Sequence, residues 1–150
     1  DIQWSNQGVN AAYKFLQKIY NLCCEVKKRP EKKINLDKDF DLKMNSYVNK
    51  ITNSINNFNL NVVVANVYEI FNLFQIHLVK EVSNKCLKNN LIKLMKILVP
   101  FTPHIAYECL EMLEAKDALV KEKQQLIQAE TDSGEAKKMQ KLKQDTVLAF

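Results

Sequence analysis

The segment from residue 98 to residue 113, LVPFTPHIAYECLEML, constrains the fold more than any other part of the chain. Pro100 has no backbone N–H, so a helix that arrives from before it cannot continue without losing a hydrogen bond. Thr102 suits the N-cap of a new helix, and Pro103 then falls at the first helical position, where the missing N–H costs nothing. Apolar residues recur at helical spacing after Pro103. The segment predicts a tight, buried corner between two helices, with structural roles for Pro100, Thr102, Pro103 and His104.

Helical periodicity also extends through the rest of the first 113 residues. The 150-residue chain contains only two Gly and three Pro, too few for the turns of a sheet protein. We therefore predict an all-α fold, an up-and-down bundle of about five helices. The third helix is apolar on more than one face and is expected to be the most buried. The predicted helices begin after Ser5 and then span about residues 37–57, 61–79, 84–99 and 103 onward.

The composition changes abruptly after Leu113. The first 113 residues contain sixteen Asn and the last 37 contain none, while Lys, Glu, Gln and Ala become frequent. We predict two parts, a helical domain at 1–113 and a charged helical extension of uncertain origin at 114–150. A turn is expected at 131–134, so that the fifth helix continues into the extension and a sixth folds back as a helical hairpin or coiled coil. Disorder of the extension is the alternative.

No group of residues in the sequence has the pattern of a catalytic or metal site. The two histidines and the scattered carboxylates form no nucleophile–base set, and the four cysteines contain no C-x-x-C pair of the kind that binds zinc. Buried free thiols in a reduced compartment are expected instead. No apolar run approaches the ~20 residues of a membrane span. We predict a cytoplasmic, non-catalytic part with no metal, no membrane contact and no cofactor of its own.

Positive charge is concentrated in the first 113 residues. They hold 15 Lys and Arg against 10 Asp and Glu, whereas residues 114–150 hold 7 of each. Lys14 and Lys18 are four residues apart and share one face of the first predicted helix, and the segment 27–33 is a basic, exposed loop around Pro30. The loop and the lysine face suit the phosphates of a nucleic acid. Ordinary solvated surfaces carry similar charge runs, so charge alone favours an ordinary solvated surface.

Three motifs resemble one enzyme family. The PFTPHI corner, followed by an acidic residue at Glu108, is similar to the PFAPHI-x-EELW corner that closes the anticodon-binding domain of class I aminoacyl-tRNA synthetases for leucine, isoleucine, valine and methionine. The segment 4–20, WSNQGVNAAYKFLQKIY, resembles the WSDxGVEGAxRFLxRxW segment of bacterial leucyl-tRNA synthetases. INNFNLNVVVA at 55–65 resembles the FNTAIA helix start of the same domain. The resemblance covers residues 4–113.

The chain departs from the family pattern at several of these positions, four of which involve a basic or aromatic residue of the pattern. Lys14 and Lys18 stand where the family usually has Arg, and Tyr20 and Leu110 stand where it has Trp. Lysine keeps the charge of arginine and lacks its bidentate fork, so phosphate contact is expected to survive without the family's geometry.

The resemblance implies a function for the chain and for its parent. The parent would use ATP with Mg²⁺ to activate leucine and join it to leucine tRNA. This part would bind and orient that tRNA through its sugar–phosphate backbone, beside the parent's catalytic domain. Leucine has six codons, which disfavours one fixed anticodon readout. The expected tRNA contacts are Lys14, Lys18, Lys27, Lys28, Arg29, Lys32 and Lys33.

Two alternatives remain open at the level of sequence. The first is a helical protein-interaction module without an RNA role, with a protein partner or self-association through a coiled-coil arm at 114–150. The second is the equivalent domain of the isoleucine, valine or methionine enzyme. Salt separates RNA binding from the first alternative, because phosphate contacts weaken steeply as salt rises.

Overall fold

The computed structural model of the chain describes residues 5–32 and 36–115, together with residues 124, 125, 128, 129, 133 and 134. The chain divides into two compact units, Asp1–Glu114 and Ala115–Phe150. The described residues of the second unit beyond Ala115 are helical, including Ser133 and Gly134. The turn predicted at 131–134 is therefore wrong for its last two residues. The predicted hairpin or coiled coil otherwise lies outside the described residues.

The described residues of the first unit form a bundle of five helices, which confirms the predicted all-α fold. The predicted starts of all five helices and the predicted ends of the second, third and fourth lie within one residue of the observed ones. None of the helices in the described residues is long and apolar enough to cross a membrane. The helices are α1 (Asn6–Lys28), α2 (Asp37–Asn56), α3 (Leu60–Leu78), α4 (Asn84–Leu98) and α5 (Pro103–Met112).

Side-chain caps fix the starts of α1 and α4. The Ser5 hydroxyl oxygen accepts a hydrogen bond from the Gly8 N–H at 3.0 Å, and the Ser83 hydroxyl oxygen accepts one from the Cys86 N–H at 3.1 Å. Each cap satisfies one of the backbone donors that a helix leaves free at its first turn.

Helix α4 lies at the centre of the bundle, since α1, α2, α3 and α5 all pack against it. The prediction that α3 is the most buried helix is wrong. Helix α3 buries a single stripe, and Leu60, Val64 and Ile76 remain exposed. The apolar residues of a helix set the area that it can bury, but the number of helices packed around it determines how much of that area is buried. The buried residues of α4 are Cys86, Leu87, Asn90, Leu91, Leu94, Met95 and Leu98.

The predicted corner joins α4 to α5 in a different way from the one expected. The Thr102 N–H donates to the Leu98 carbonyl at 2.8 Å, and α5 begins at Pro103 as predicted. Thr102 stands at the N-cap, but its hydroxyl donates back to Leu98 at 3.4 Å and does not cap α5.

The corner is also less buried than predicted. Pro100, Pro103 and His104 are exposed, because the residues of α5 that face the bundle begin one turn later, at Ala106. Leu98 is the buried residue at this bend. The structural role expected for the His104 side chain stays a prediction, whereas the two prolines mark where one helix stops and the next starts.

Helix α5 ends at Met112, so the predicted continuation of this helix into the extension is wrong at its first step. Glu114 has a φ of 58°, in the left-handed region that few residues other than glycine adopt. Its N–H donates to the Glu111 carbonyl at 2.9 Å, which closes the last turn. The sequence has no glycine at this point, so nothing local indicated the stop.

Candidate nucleic-acid interface

The cations of helix α1 lie on two sides of the helix. Successive residues are rotated by roughly 100°, so Lys14, Lys18 and Lys28 fall within roughly 80° of one another. Lys27 lies roughly opposite Lys18 by the same geometry. All four side chains are exposed. We call the side that carries Lys14, Lys18 and Lys28 the lysine face.

Two shallow depressions accompany the lysine face. One of about 320 Å³ is lined by Lys18, Asn21, Glu25, Phe71 and Gln75, and Glu25 is the acidic residue of the face. The ion pairs found among the described residues, Lys43–Asp39 and Lys88–Glu114, do not involve this face. Its ammonium groups are therefore available to a phosphate. The other depression, of about 500 Å³, is lined by Asn21, Cys24, Glu25, Lys28 and Arg29.

Arg29 points into the protein. Its Nε donates to the Leu78 carbonyl at 2.9 Å, its Nη1 to the Val82 carbonyl at 2.7 Å, and its Nη2 to the Lys80 carbonyl at 2.8 Å. Nη1 also donates to the Asn84 side chain. The planar fork of five donors suits this set of carbonyls, and it leaves little of the guanidinium for a phosphate. The structure gives Arg29 a role in folding in place of the predicted tRNA contact.

The segment after α1 is tied to the rest of the protein, so the predicted exposed loop is wrong in part, since it begins after Lys28, and since Arg29 and Lys32 are only half exposed. Lys27 and Lys28 belong to the helix itself. Lys32 donates to the Val79 carbonyl at 3.0 Å, and Glu31 accepts from the Asn84 N–H at 3.2 Å. Lys33 lies outside the described residues. Only tertiary contacts with residues some fifty positions away decide which of these cations face the solvent.

A buried polar network fixes α2 against α4, and sequence reasoning missed it. One carboxylate oxygen of Asp37 accepts from the Ser83 N–H at 2.7 Å, and the other accepts from the Ser83 hydroxyl. Asp41 accepts from the Asn90 side chain. No buried side-chain nitrogen or oxygen in the described part of the chain lacks a partner. In the sequence alone, acidic residues in the first turns of α2 are accounted for by the helix dipole.

Burial governs the cysteine chemistry of the first unit. Cys23, Cys86 and Cys109 are buried, Cys24 is half-buried, and all four thiols are free. Burial, reinforced by the charges of Asp41 and Asp37, raises the pKa of Cys86 to about 12. Its thiolate is therefore scarce at neutral pH, which makes it an inert core residue.

A second group of cations surrounds a cavity of about 410 Å³ between the end of α1, the start of α4 and the end of α5. Lys27, Lys85 and Lys88 line it together with Glu114. Sequence reasoning named only Lys27 of this group. The available signal was the pair Lys85 and Lys88, three residues apart and therefore neighbours on one helix face.

An apolar face lies where the middle of α1 meets α3. Val64 and Tyr68 are exposed on it, and the Phe15 ring stacks on the Tyr68 ring with centroids 3.7 Å apart. A small apolar cavity of about 170 Å³ opens there. Exposed apolar side chains grouped in this way are typical of surfaces that contact another protein.

Comparison with known proteins gives a family and a set of relatives. The family model for the anticodon-binding domain of tRNA ligase matches residues 37–149. The matched range therefore includes most of the segment whose composition differs. Helix α1 lies before it. No solved structure matches the chain.

Three curated relatives are leucine–tRNA ligases of bacteria. That of Orientia tsutsugamushi is 28% identical over 122 residues, 81% of this chain. That of Buchnera aphidicola subsp. Cinara cedri is 30% identical over 71% of the chain, and that of Thermosipho melanesiensis is 31% identical over 72%. The chain spans 14% of the length of each of them.

These relatives favour the leucine enzyme over the isoleucine, valine and methionine alternatives and agree with the resemblance carried by the sequence motifs. The family match covers α2 to α5 and the residues beyond them. On both grounds, the chain belongs to the family of anticodon-binding domains of tRNA ligases, of the leucyl-tRNA synthetase type.

Proposed function

We propose that this chain binds leucine tRNA and orients it for a leucine–tRNA ligase. The observation that carries the proposal is the lysine face, where Lys14, Lys18 and Lys28 are exposed together on one side of α1. Phosphates attract exposed ammonium groups, and the counterions released on binding supply much of the affinity for a nucleic acid.

Contact with the tRNA backbone fits this face better than base reading. Lysine carries a compact charge on a flexible stem, which suits phosphate oxygens and gives little geometric discrimination between bases. The face presents the amide side chain of Asn21 between Lys18 and Lys28, and amides also bond readily to sugar and phosphate oxygens. We therefore expect recognition of shape and phosphate position.

Arg29 and Lys32 serve this function indirectly. By holding the α3–α4 connection against the end of α1, they fix the direction in which Lys27 and Lys28 project. A rigid support of this kind lowers the entropy that a phosphate contact costs.

The proposal extends to the parent protein. The parent would be a cytoplasmic ligase whose catalytic domain uses ATP with Mg²⁺ to activate leucine. This chain would contribute tRNA binding, and we expect it to show no aminoacylation by itself. Leucine tRNA and the parent's catalytic domain are the proposed partners.

A titration of fluorescently labelled leucine tRNA with the 150-residue chain tests the proposal. Anisotropy is measured at several salt concentrations for the natural chain and for Lys14→Ala/Lys18→Ala. We expect salt-sensitive binding, and the double variant is expected to bind roughly tenfold more weakly with a salt slope smaller by about 1 to 2.

The matched control is Lys38→Ala/Lys50→Ala, which removes the same charge from two exposed positions of α2. It is expected to bind nearly as well as the natural chain. An equal loss in both double variants would show that only net charge matters. Absence of binding at low salt would overturn the proposal.

A protein-contact role is the second candidate function, favoured by the exposed apolar face. Val64 is 49% exposed and Tyr68 is 40% exposed. The partner we propose for this face is the catalytic domain of the parent, supplied as a separate chain in isothermal titration calorimetry. Apolar contact predicts binding with a negative heat-capacity change and little salt dependence, lost in Tyr68→Asp. If titration of the natural chain with the catalytic domain gives no heat at any temperature used, this candidate function is excluded.

A further inference from the structure

The cavity bounded by Lys27, Lys85 and Lys88 lies apart from the lysine face. It is formed by the end of α1, the start of α4 and the last turn of α5. Because Lys27 and Lys18 project from roughly opposite sides of α1, a ligand in this cavity does not compete with one on the lysine face.

The charges around the cavity are unequal. Three lysines line it, and Glu114 is its acidic residue. Lys88 Nζ lies 3.2 Å from a Glu114 carboxylate oxygen, and the Glu114 side chain is 80% exposed. Neither ion pair of the described residues includes Lys27 or Lys85. The cavity therefore has positive charge in excess, and its one internal ion pair is of the weak, surface kind.

The floor of the cavity is apolar. Val26 and Leu113 are buried, and Met112 is half-buried beside them. An apolar floor displaces water and lowers the local dielectric constant, which strengthens the attraction between an ammonium group and an anion. It also offers a surface for a ribose or a base next to that anion.

The walls are held in place by the Arg29 clamp. The Asn84 side chain lies on the cavity wall, donates to the Arg29 carbonyl at 2.6 Å and accepts from the Arg29 guanidinium. These bonds fix the end of α1, with Lys27, relative to the start of α4, with Lys85. The cations therefore converge without a rearrangement of the backbone.

We propose that this cavity binds one phosphate group of an RNA strand, with Lys88 released from Glu114 to contact it. A volume of about 410 Å³ admits a single nucleotide unit and is too small for a duplex. The phosphate replaces the carboxylate as the partner of Lys88 and satisfies Lys27 and Lys85 as well. This inference rests on the proposed binding of tRNA and adds a second, separate point of contact.

The test is the tRNA titration described above, with two further variants. Lys85→Ala/Lys88→Ala removes the two cations of α4, and we expect roughly tenfold weaker binding and a salt slope smaller by about 1. Glu114→Gln removes the competing carboxylate, and we expect binding to become about two- to fivefold tighter because Lys88 no longer has an ion-pair partner. Lys38→Ala/Lys50→Ala is again the matched control for charge, and circular dichroism verifies folding.

Each outcome of these titrations either supports or contradicts the phosphate site in the cavity. If the natural chain binds RNA and Lys85→Ala/Lys88→Ala binds like the control, the cavity is not a contact and the proposed function stands. If Glu114→Gln leaves the affinity for RNA unchanged, Lys88 does not leave the Glu114 carboxylate to contact a phosphate, and the inference is wrong. If the natural chain does not bind RNA, both proposals fail.

Inorganic phosphate at constant ionic strength separates an RNA phosphate from a free one. Weak displacement, only at tens of millimolar, supports a strand whose phosphate is one contact among several. Displacement of RNA by submillimolar phosphate that depends on Lys85 and Lys88 would make the cavity a site for a free anion and overturn the inference.

Discussion

The two ends of helix α1 are held to the protein in different ways. At the C-terminal end Leu22, Cys23 and Val26 are buried, and Arg29 just beyond donates to three backbone carbonyls around the α3–α4 connection. At the N-terminal end every residue from Asn6 to Lys14 is exposed, and the helix begins on its own Ser5 cap.

This difference shows how one helix serves both stability and binding. The buried end derives its helical structure from tertiary packing, which is the main source of helix stability in proteins. The exposed end depends on local interactions and leaves its polar and apolar side chains free for partners. We expect substitutions of the buried residues of α1 to affect mainly folding and substitutions of its exposed lysines, which lie along both halves of the helix, to affect mainly binding.

The largest expected effect on folding is that of Leu22→Ala. Leu22 is 1% exposed, so its truncation leaves a cavity and is expected to cost about 2–5 kcal/mol in the free energy of unfolding. Val9→Ala at the exposed end is the matched control and is expected to change it by less than about 0.5 kcal/mol. Urea denaturation measures both, and similar losses would contradict the division of α1 into two ends.

Arg29→Ala is expected to cost about 2–3 kcal/mol, because three carbonyls and Asn84 lose their donor together. Arg29→Lys keeps the charge but cannot reproduce the fork of donors, so most of the loss is expected to remain. Urea denaturation of both variants checks this. Full stability in Arg29→Lys would show that charge, and not the hydrogen-bond geometry, holds the connection.

Removal of either serine cap is expected to have a smaller effect on stability, and the effect is expected to differ between the two caps. Ser5→Ala removes only the bond to the Gly8 N–H and is expected to cost about 1 kcal/mol. Ser83→Ala is expected to cost more, because Ser83 is buried and its hydroxyl also donates to Asp37. Thermal denaturation by circular dichroism ranks the two, and the reverse order would mean that the Asp37 contact contributes nothing.

The smallest expected effect on folding is that of Lys14→Ala/Lys18→Ala, below about 0.5 kcal/mol, since both side chains are exposed. The same variant is expected to have the large loss of tRNA affinity described above. A loss of stability that paralleled the loss of affinity would show that the two lysines support the helix and would weaken the case for a binding face.

The bounds of the helices could be predicted because the signals are local. Ser5, Ser83 and Pro103 lie at the helix starts where their chemistry places them. The stop at Glu114 could not be predicted, since a left-handed residue without glycine leaves no mark in the sequence. For the candidate interface, the exposure of Lys14 and Lys18 followed from helical spacing, whereas the inward direction of Arg29 depends on carbonyls about fifty residues away.

The sequence by itself determined that residues 5–113 form five amphipathic helices, and its motifs identified the family. Periodicity and capping act within a few residues, so a linear pattern contains them in full. Only the tertiary structure decided that α4 is central and that Arg29 stabilises the α3–α4 connection. It also decided that Lys27, Lys85 and Lys88 line one cavity. The physical reason is that these outcomes depend on which distant groups meet, and the direction of a charged side chain is set by the partners that packing brings to it.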